Sequence, residues 1–168
     1  DGGGSPQIKN NIFNDVSGEF GIYISGGSAF VSGNTLAAVE GDGISISSSD
    51  STDISGNTLE VGGAGITISN SLFVTDISGN TLEVGGGDGI TIGSSQSIQI
   101  LSNDIIGTGD GISISSSDST DVSGNTLEVG GAGITISNSL SATDVSGNTL
   151  EVGGGAGITI ESSQSIQI

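Results

Sequence analysis

The chain has 168 residues, of which 19 are acidic and only one, Lys9, is basic, so its formal net charge at pH 7 is −18. Proteins that bind nucleic acid or an anionic membrane surface rely on lysine and arginine, so we expect neither as a partner. The absence of cysteine excludes disulfides and thiolate ligands, and no apolar run reaches the roughly 18 residues that membrane insertion requires.

Residues 1–5, DGGGS, are expected to form a flexible lead-in, and a single repeat fills residues 6–168. A fixed period of this kind is typical of a solenoid. The repeat is marked by a corner asparagine that recurs every 22 or 23 residues, at Asn11, Asn34, Asn57, Asn80, Asn103, Asn125 and Asn148. Stacked amides can hydrogen-bond from coil to coil, so these residues predict an asparagine ladder, with the turn asparagine itself tolerating a left-handed conformation.

Each repeat contains three short runs with the alternation of β-strands. In residues 133–152 the first run carries Ile134 and Ile136, the second ends at Val145, and the third passes through Leu150. Serine, asparagine and glycine separate the runs, as they do at turns. The sequence therefore predicts three strands and three corners in each coil.

Strand alternation divides the side chains between the inside and the outside of the coil. The inward set is aliphatic, and burial of each such side chain stabilises a coil by about 1.5–3 kcal/mol. Its clearest column is Ile22, Ile44, Ile66, Ile90, Ile112, Ile134 and Ile158. A column of glycines, such as Gly65, precedes this column, and a column of serines, such as Ser71, follows it; we expect structural roles for both.

Residues 42–100 and 110–168 are nearly identical at an offset of 68 residues. They differ at six positions, namely Ile54/Val122, Phe73/Ser141, Val74/Ala142, Ile77/Val145, Asp88/Ala156 and Gly93/Glu161. Such similarity implies a recent or an engineered duplication of three coils.

The coil length, the asparagine corner and the phrases SGNTL and GDGISI resemble the right-handed parallel β-helix of the pectate-lyase-like superfamily. The resemblance covers about residues 6–168 and implies an all-β, three-sided parallel β-helix with about seven coils of 22–24 residues. The family includes polysaccharide lyases, hydrolases and epimerases as well as phage tailspikes, adhesins and surface-layer proteins, so the resemblance predicts architecture and not activity.

The catalytic groups of the enzymatic members have few counterparts in this chain. The lyases use a basic residue beside calcium, and this chain has no arginine, while Lys9 lies in the irregular first coil. The hydrolases use clustered aspartates with a histidine and a basic residue, and only aspartates are available, at Asp42, Asp88 and Asp110. Because Asp before Gly is ordinary turn chemistry, we expect no enzyme, and a degenerate polysaccharide-active β-helix is an alternative.

Acidic side chains are expected to stack on the outside. One column contains Asp53, Asp76, Asp121 and Asp144, and a second contains Glu60, Glu83, Glu128 and Glu151. Like charges about 4.8 Å apart repel by roughly 1 kcal/mol even in water. Together with Asp42, Asp88 and Asp110, the aspartates are candidates for binding Ca²⁺; the alternative is a solvated acidic surface that keeps the protein soluble.

One sheet is expected to present a regular hydroxyl surface that includes Thr67, Thr91, Thr135 and Thr159. Regular columns of hydroxyl groups can bind ordered water or sugars, so the sequence predicts an ice- or carbohydrate-binding face. Threonine and serine are also common on any exposed strand, so a purely structural interpretation stays open.

The two ends of the repeat are in phase, since Ile8 and Ile168 fall in the same column. Neither end shows a capping helix or a charged strand, so we expect chains to stack head to tail into filaments, unless the chain is an excerpt of a longer solenoid. The overall expectation is a non-catalytic structural solenoid outside the cell or on its surface.

Overall fold

Three parallel β-sheets form the molecule. The structure is a computed structural model that describes residues 5–141 and 143–168. These residues form 22 strands, and none of them belongs to a helix that could cross a membrane. Residues 1–4 of the expected lead-in lie outside the described residues. The chain passes through sheets I, II and III in turn and then begins the next coil, so the predicted three-sided solenoid of about seven coils is confirmed.

Sheet I has eight strands, of which the first seven lie just before an asparagine corner. They are β1 (Gln7–Lys9), β4 (Ala29–Ser32), β7 (Thr52–Ser55), β10 (Thr75–Ser78), β13 (Gln96–Leu101), β16 (Asp118–Ser123), β19 (Thr143–Ser146) and β22 (Ile166–Gln167).

Sheet II has seven strands and follows the corner. They are β2 (Ile12–Asn14), β5 (Thr35–Val39), β8 (Thr58–Val61), β11 (Thr81–Val84), β14 (Asp104–Gly107), β17 (Thr126–Val129) and β20 (Thr149–Val152).

Sheet III also has seven strands and follows a glycine-rich turn. They are β3 (Phe20–Ser25), β6 (Asp42–Ser47), β9 (Ile66–Ser69), β12 (Ile90–Gly93), β15 (Ile112–Ser115), β18 (Ile134–Ser137) and β21 (Ile158–Glu161).

The core is a stack of aliphatic side chains that repeat from coil to coil. Ile66 pairs with Ile90 in the ladder of sheet III, and Leu59 pairs with Leu82 in sheet II. All four side chains are at most 1% exposed. The alternation of buried and outward residues in β8 and β9 is the alternation that the sequence predicts.

Close packing explains the glycine that precedes each strand of sheet III. A Cβ atom at Gly65 would lie 2.5 Å from the carbonyl oxygen of Gly89 in the next coil and 3.2 Å from the Leu82 side chain. Backbones approach so closely at this corner that any side chain would force the coils apart.

Two features of the core escape the sequence analysis. Sheet I buries a column of threonines, among them Thr52 and Thr75, whose hydroxyls lie 3.0 Å and 2.9 Å from the hydroxyls of Ser49 and Ser71. Strand β5 also carries a bulge, because its pairing with β8 shifts between Leu36 and Val39. The sequence signal for the bulge is one extra residue, TLAAV where later coils have TLEV.

Candidate functional site

The corner asparagines are buried and join consecutive coils. Asn80 accepts at its Oδ1 from the backbone N–H and from the Nδ2 of Asn57, both at 2.9 Å. Its own Nδ2 donates to the Ile54 carbonyl in the preceding coil and to Oδ1 of Asn103 in the next. The same amide–amide bond links every successive pair in the column Asn11, Asn34, Asn57, Asn80, Asn103, Asn125 and Asn148. Each central side chain therefore holds three coils together.

The left-handed residue of this corner is the one before the asparagine, which corrects the sequence expectation. Gly56 and Gly79 have φ of 62° and 60°, and Ser102 takes the glycine position with φ of 54°. The ladder asparagines have no positive φ. Glycine supplies the conformation without steric cost, which leaves the asparagine free to point into the stack.

The turn aspartates Asp42, Asp88 and Asp110 each use one carboxylate oxygen to accept a backbone N–H of the next coil. The donors are Ala64 at 2.8 Å, Asp110 at 3.0 Å and Ala132 at 2.7 Å, respectively. All three aspartates are half-buried. Each carboxylate thus bridges two coils at the turn between sheets II and III.

The column of aspartates on sheet I has the expected vertical order. Asp53 pairs with Asp76, Gln99 follows, and Asp121 then pairs with Asp144. The Oδ1 atoms of Asp53, Asp76 and Asp121 are shielded from solvent and make no hydrogen bond to the protein. Shielded, unpaired carboxylate oxygens are costly, which adds to the repulsion between neighbours. Within residues 5–141 and 143–168, no group of three or more His, Cys, Asp or Glu side chains is placed to hold a metal ion.

The predicted hydroxyl face lies on the outer side of sheet III. Thr67 pairs with Thr91, Ser113 continues the column, and Thr135 pairs with Thr159. All four threonines and Ser113 are half-buried, and together they form one outward column along five successive coils. A second outward column, with Ser69 and Ser137 among its members, runs beside them.

An open groove, with a volume of about 740 Å³, follows the outer side of sheet II and the turn after it. Exposed glutamates stand along it on four coils, and Ile106, which is 48% exposed, occupies the column in the coil between them. The glutamates are Glu60, Glu83, Glu128 and Glu151. A second wall is a column of glycines, among them Gly85 and Gly130, whose lack of side chains keeps the groove open. In the coil of Ile106 this column holds Thr108, whose hydroxyl donates to the Gly85 carbonyl at 2.6 Å. Sequence reasoning found the glutamate column but not the groove; the glycine that follows the valine of each TLEV phrase is the signal for it.

Residues 20–168 match the family model for a right-handed β-helix region. The chain belongs to the right-handed β-helix family. No curated protein and no solved structure matches it significantly. The matched range begins at the first strand of sheet III, Phe20–Ser25, so the irregular coil before it lies outside the match.

In this β-helix, the polar columns divide into two chemical groups. The ladder asparagines and the turn aspartates use their polar atoms on neighbouring coils, as does Ser95, whose hydroxyl accepts the backbone N–H of Ser71. The outward side chains of sheets I, II and III make few or no hydrogen bonds within the chain. These three faces therefore carry the side chains that can bind a ligand.

Proposed function

We propose that this β-helix is a non-catalytic structural element that works outside the cell or on its surface. The observation that supports the proposal is the repetition of the same polar side chains in successive coils. Catalytic sites are local, whereas the asparagine ladder and the hydroxyl face recur from one coil to the next. The placement outside the cell rests on the resemblance to the pectate-lyase-like superfamily, which includes adhesins, tailspikes and surface-layer proteins beside its enzymes.

The absence of catalysis is tested with acidic and neutral polysaccharides. We expect no new reducing ends and no unsaturated products after long incubation with polygalacturonate, with or without calcium. Turnover that is lost in Asp88→Asn or Asp110→Asn would overturn this part of the proposal, since those aspartates are the acids nearest to the family's catalytic pattern.

The proposed structural element also assembles end to end, with copies of the chain stacked along the solenoid axis. In the last coil Ile158 and Ile160 are half-buried, whereas Ile134 and Ile136 one coil earlier are fully buried. Strand β21 also has a free edge, because it pairs only with β18. A further coil would cover both the apolar surface and the edge, and the first coil of a second copy has strands parallel to it and a column in the same phase.

Assembly is tested by light scattering coupled to size-exclusion chromatography and by negative-stain microscopy. We expect filaments or oligomers whose size increases with protein concentration. Ile160→Lys places a charge on the exposed end and abolishes them, while Thr159→Lys, on the outer side of the same strand, leaves them intact. A monodisperse monomer at high concentration would contradict the proposal.

A second candidate function is suggested by the hydroxyl face, which presents threonine or serine on six consecutive coils of sheet III. A regular rank of hydroxyls at the coil spacing of about 4.8 Å is suited to ordered water or to a carbohydrate. Ice-recrystallisation and glycan-array assays separate the two ligands. Thr91→Lys is expected to remove activity, and Thr126→Lys on sheet II serves as the matched control.

A further inference from the structure

The groove on sheet II combines an exposed apolar side chain with charge of one sign. Ile106 is 48% exposed and projects between two pairs of glutamates on neighbouring coils, while the valines of the lining, Val61, Val84 and Val129, are at most 5% exposed. Below Ile106 the pair is Glu60 and Glu83, and above it the pair is Glu128 and Glu151. The order along the axis is therefore two acids, one apolar side chain and two acids.

We propose that this groove binds a linear polyamine, with its charged ends on the glutamate pairs and its apolar middle over Ile106. Charge complementarity supports a cationic occupant, because the described lining contains four glutamates and no basic residue. The groove is open along the solenoid axis, which suits an extended chain and not a compact one.

The dimensions fit such a ligand. Four coil steps of about 4.8 Å separate Glu60 from Glu151, or about 19 Å. In an extended zigzag chain of single bonds of about 1.5 Å, the terminal nitrogens of a tetraamine with thirteen intervening bonds lie about 16 Å apart. Amines joined by three methylenes lie about 5 Å apart on the same bond lengths, close to the spacing of glutamates on neighbouring coils.

Two other cationic occupants fit less well. In an extended peptide, side chains on one side recur about every 6.8 Å, which does not match the coil spacing. A calcium ion takes six or more oxygen ligands, and in the described part of the chain no three acidic side chains converge on one point.

Spermine is the probe, measured by calorimetry with the full chain in about 0.15 M salt, where screening weakens non-specific attraction to the acidic surface. We expect one site. The double variant Glu83→Gln/Glu128→Gln weakens binding at least tenfold, because it removes two charge-assisted hydrogen bonds. Asp53→Asn/Asp121→Asn removes the same charge on sheet I and changes affinity less than threefold.

The apolar middle has its own test. Ile106→Ser leaves the charge unchanged and is expected to weaken spermine about threefold to tenfold, through the loss of a half-exposed aliphatic contact. A diamine with four methylenes, which cannot reach both glutamate pairs, is expected to bind at least tenfold more weakly than spermine.

Each remaining outcome overturns the proposal. Equal losses in the two double variants show general attraction to an acidic protein, and absence of spermine binding by the unchanged chain removes the site. Amide chemical shifts on titration of the unchanged chain provide a measurement that needs no variant. Shifts are expected at Gly85, Gly107 and Gly130, and shifts confined to sheets I and III would contradict the groove.

Discussion

At the residue scale, the corner between sheets I and II depends on a left-handed residue. Gly79 has φ of 60°, and a Cβ atom placed on it would have no neighbour within 4 Å. The role of this glycine is therefore conformational and not steric, in contrast to Gly65, where space is lacking. Asn10 and Ser102, with φ of 56° and 54°, show that the chain accepts a side chain at this position in two coils.

The first prediction concerns this position. Gly79→Ala is expected to lower the free energy of unfolding by about 1 kcal/mol, because a Cβ atom disfavours the left-handed region. Ser102→Gly is expected to have no such cost and to raise it slightly. Urea denaturation measures both. A loss of stability in Ser102→Gly as large as that in Gly79→Ala would show that φ is not the controlling factor.

The second prediction concerns the ladder. Asn80→Leu removes the Asn80 partner of the buried Asn57 N–H and of the Ile54 carbonyl, while the Nδ2 of Asn57 keeps its bonds to the carbonyls of Val31 and Ser55. At about 1–3 kcal/mol for each buried group, the free energy of unfolding should fall by about 2 kcal/mol or more. Asn11→Leu is the matched control, since Asn11 is exposed at the end of the column. Equal effects of the two substitutions would contradict the ladder as a buried support.

At the scale of the element, each strand is short, and its stability comes from its neighbours above and below. Strand β10, for example, has only four residues and pairs with β7 on one side and β13 on the other. Columns therefore matter more than single strands: a favourable pair is repeated along the sheet, and so is an unfavourable one.

The aspartate column on sheet I gives the third prediction. Asp76→Asn removes the repulsion from Asp53 and is expected to raise the free energy of unfolding by about 0.5–1 kcal/mol at low salt. The gain should shrink as salt is added, because screening weakens the repulsion in the unchanged chain. Asp50→Asn, on an exposed turn residue, is the control and should have little effect. A gain that does not depend on salt would contradict repulsion as the cause.

The sequence predicts the elements well because one alternating pattern repeats in each coil. The three strands, the burial of Ile66 and Ile90, and the outward position of Thr67 all follow from alternation and spacing. The bulge in β5 is marked only by the extra residue of TLAAV, and the left-handed conformation of the corner glycine is a backbone angle that strand alternation does not encode. The groove on sheet II depends on the depth of the turn beside it, and its one signal in the sequence is the glycine that follows each TLEV phrase.

At the scale of the whole molecule, the coil is the unit of stability. Each coil contacts only the coils above and below, so stability should depend on coil number and not on which coils are present. The ladder bonds from Asn57 to Asn80 and from Asn80 to Asn103 are alike in length, which makes the coils interchangeable.

The fourth prediction uses this property. Deletion of residues 58–80 joins Asn57 to Thr81 and removes one complete coil, so the side-chain columns stay in register across the junction. We expect a folded protein with an unchanged circular-dichroism shape and a slightly lower melting temperature. Deletion of residues 58–69 removes about half a coil and is expected to abolish cooperative unfolding. A shorter solenoid that fails to fold would show that particular coils are indispensable.

The duplication of residues 42–100 in residues 110–168 has a consequence for folding. Both segments have nearly the same strand sequences, so either one can pair with the coil that folds before it. The pairing segment can come from the same chain or from a second molecule, with little change in the hydrogen bonds between strands. Refolding at high concentration should therefore produce swapped dimers, in which two molecules exchange three-coil blocks, and dilution during refolding should suppress them.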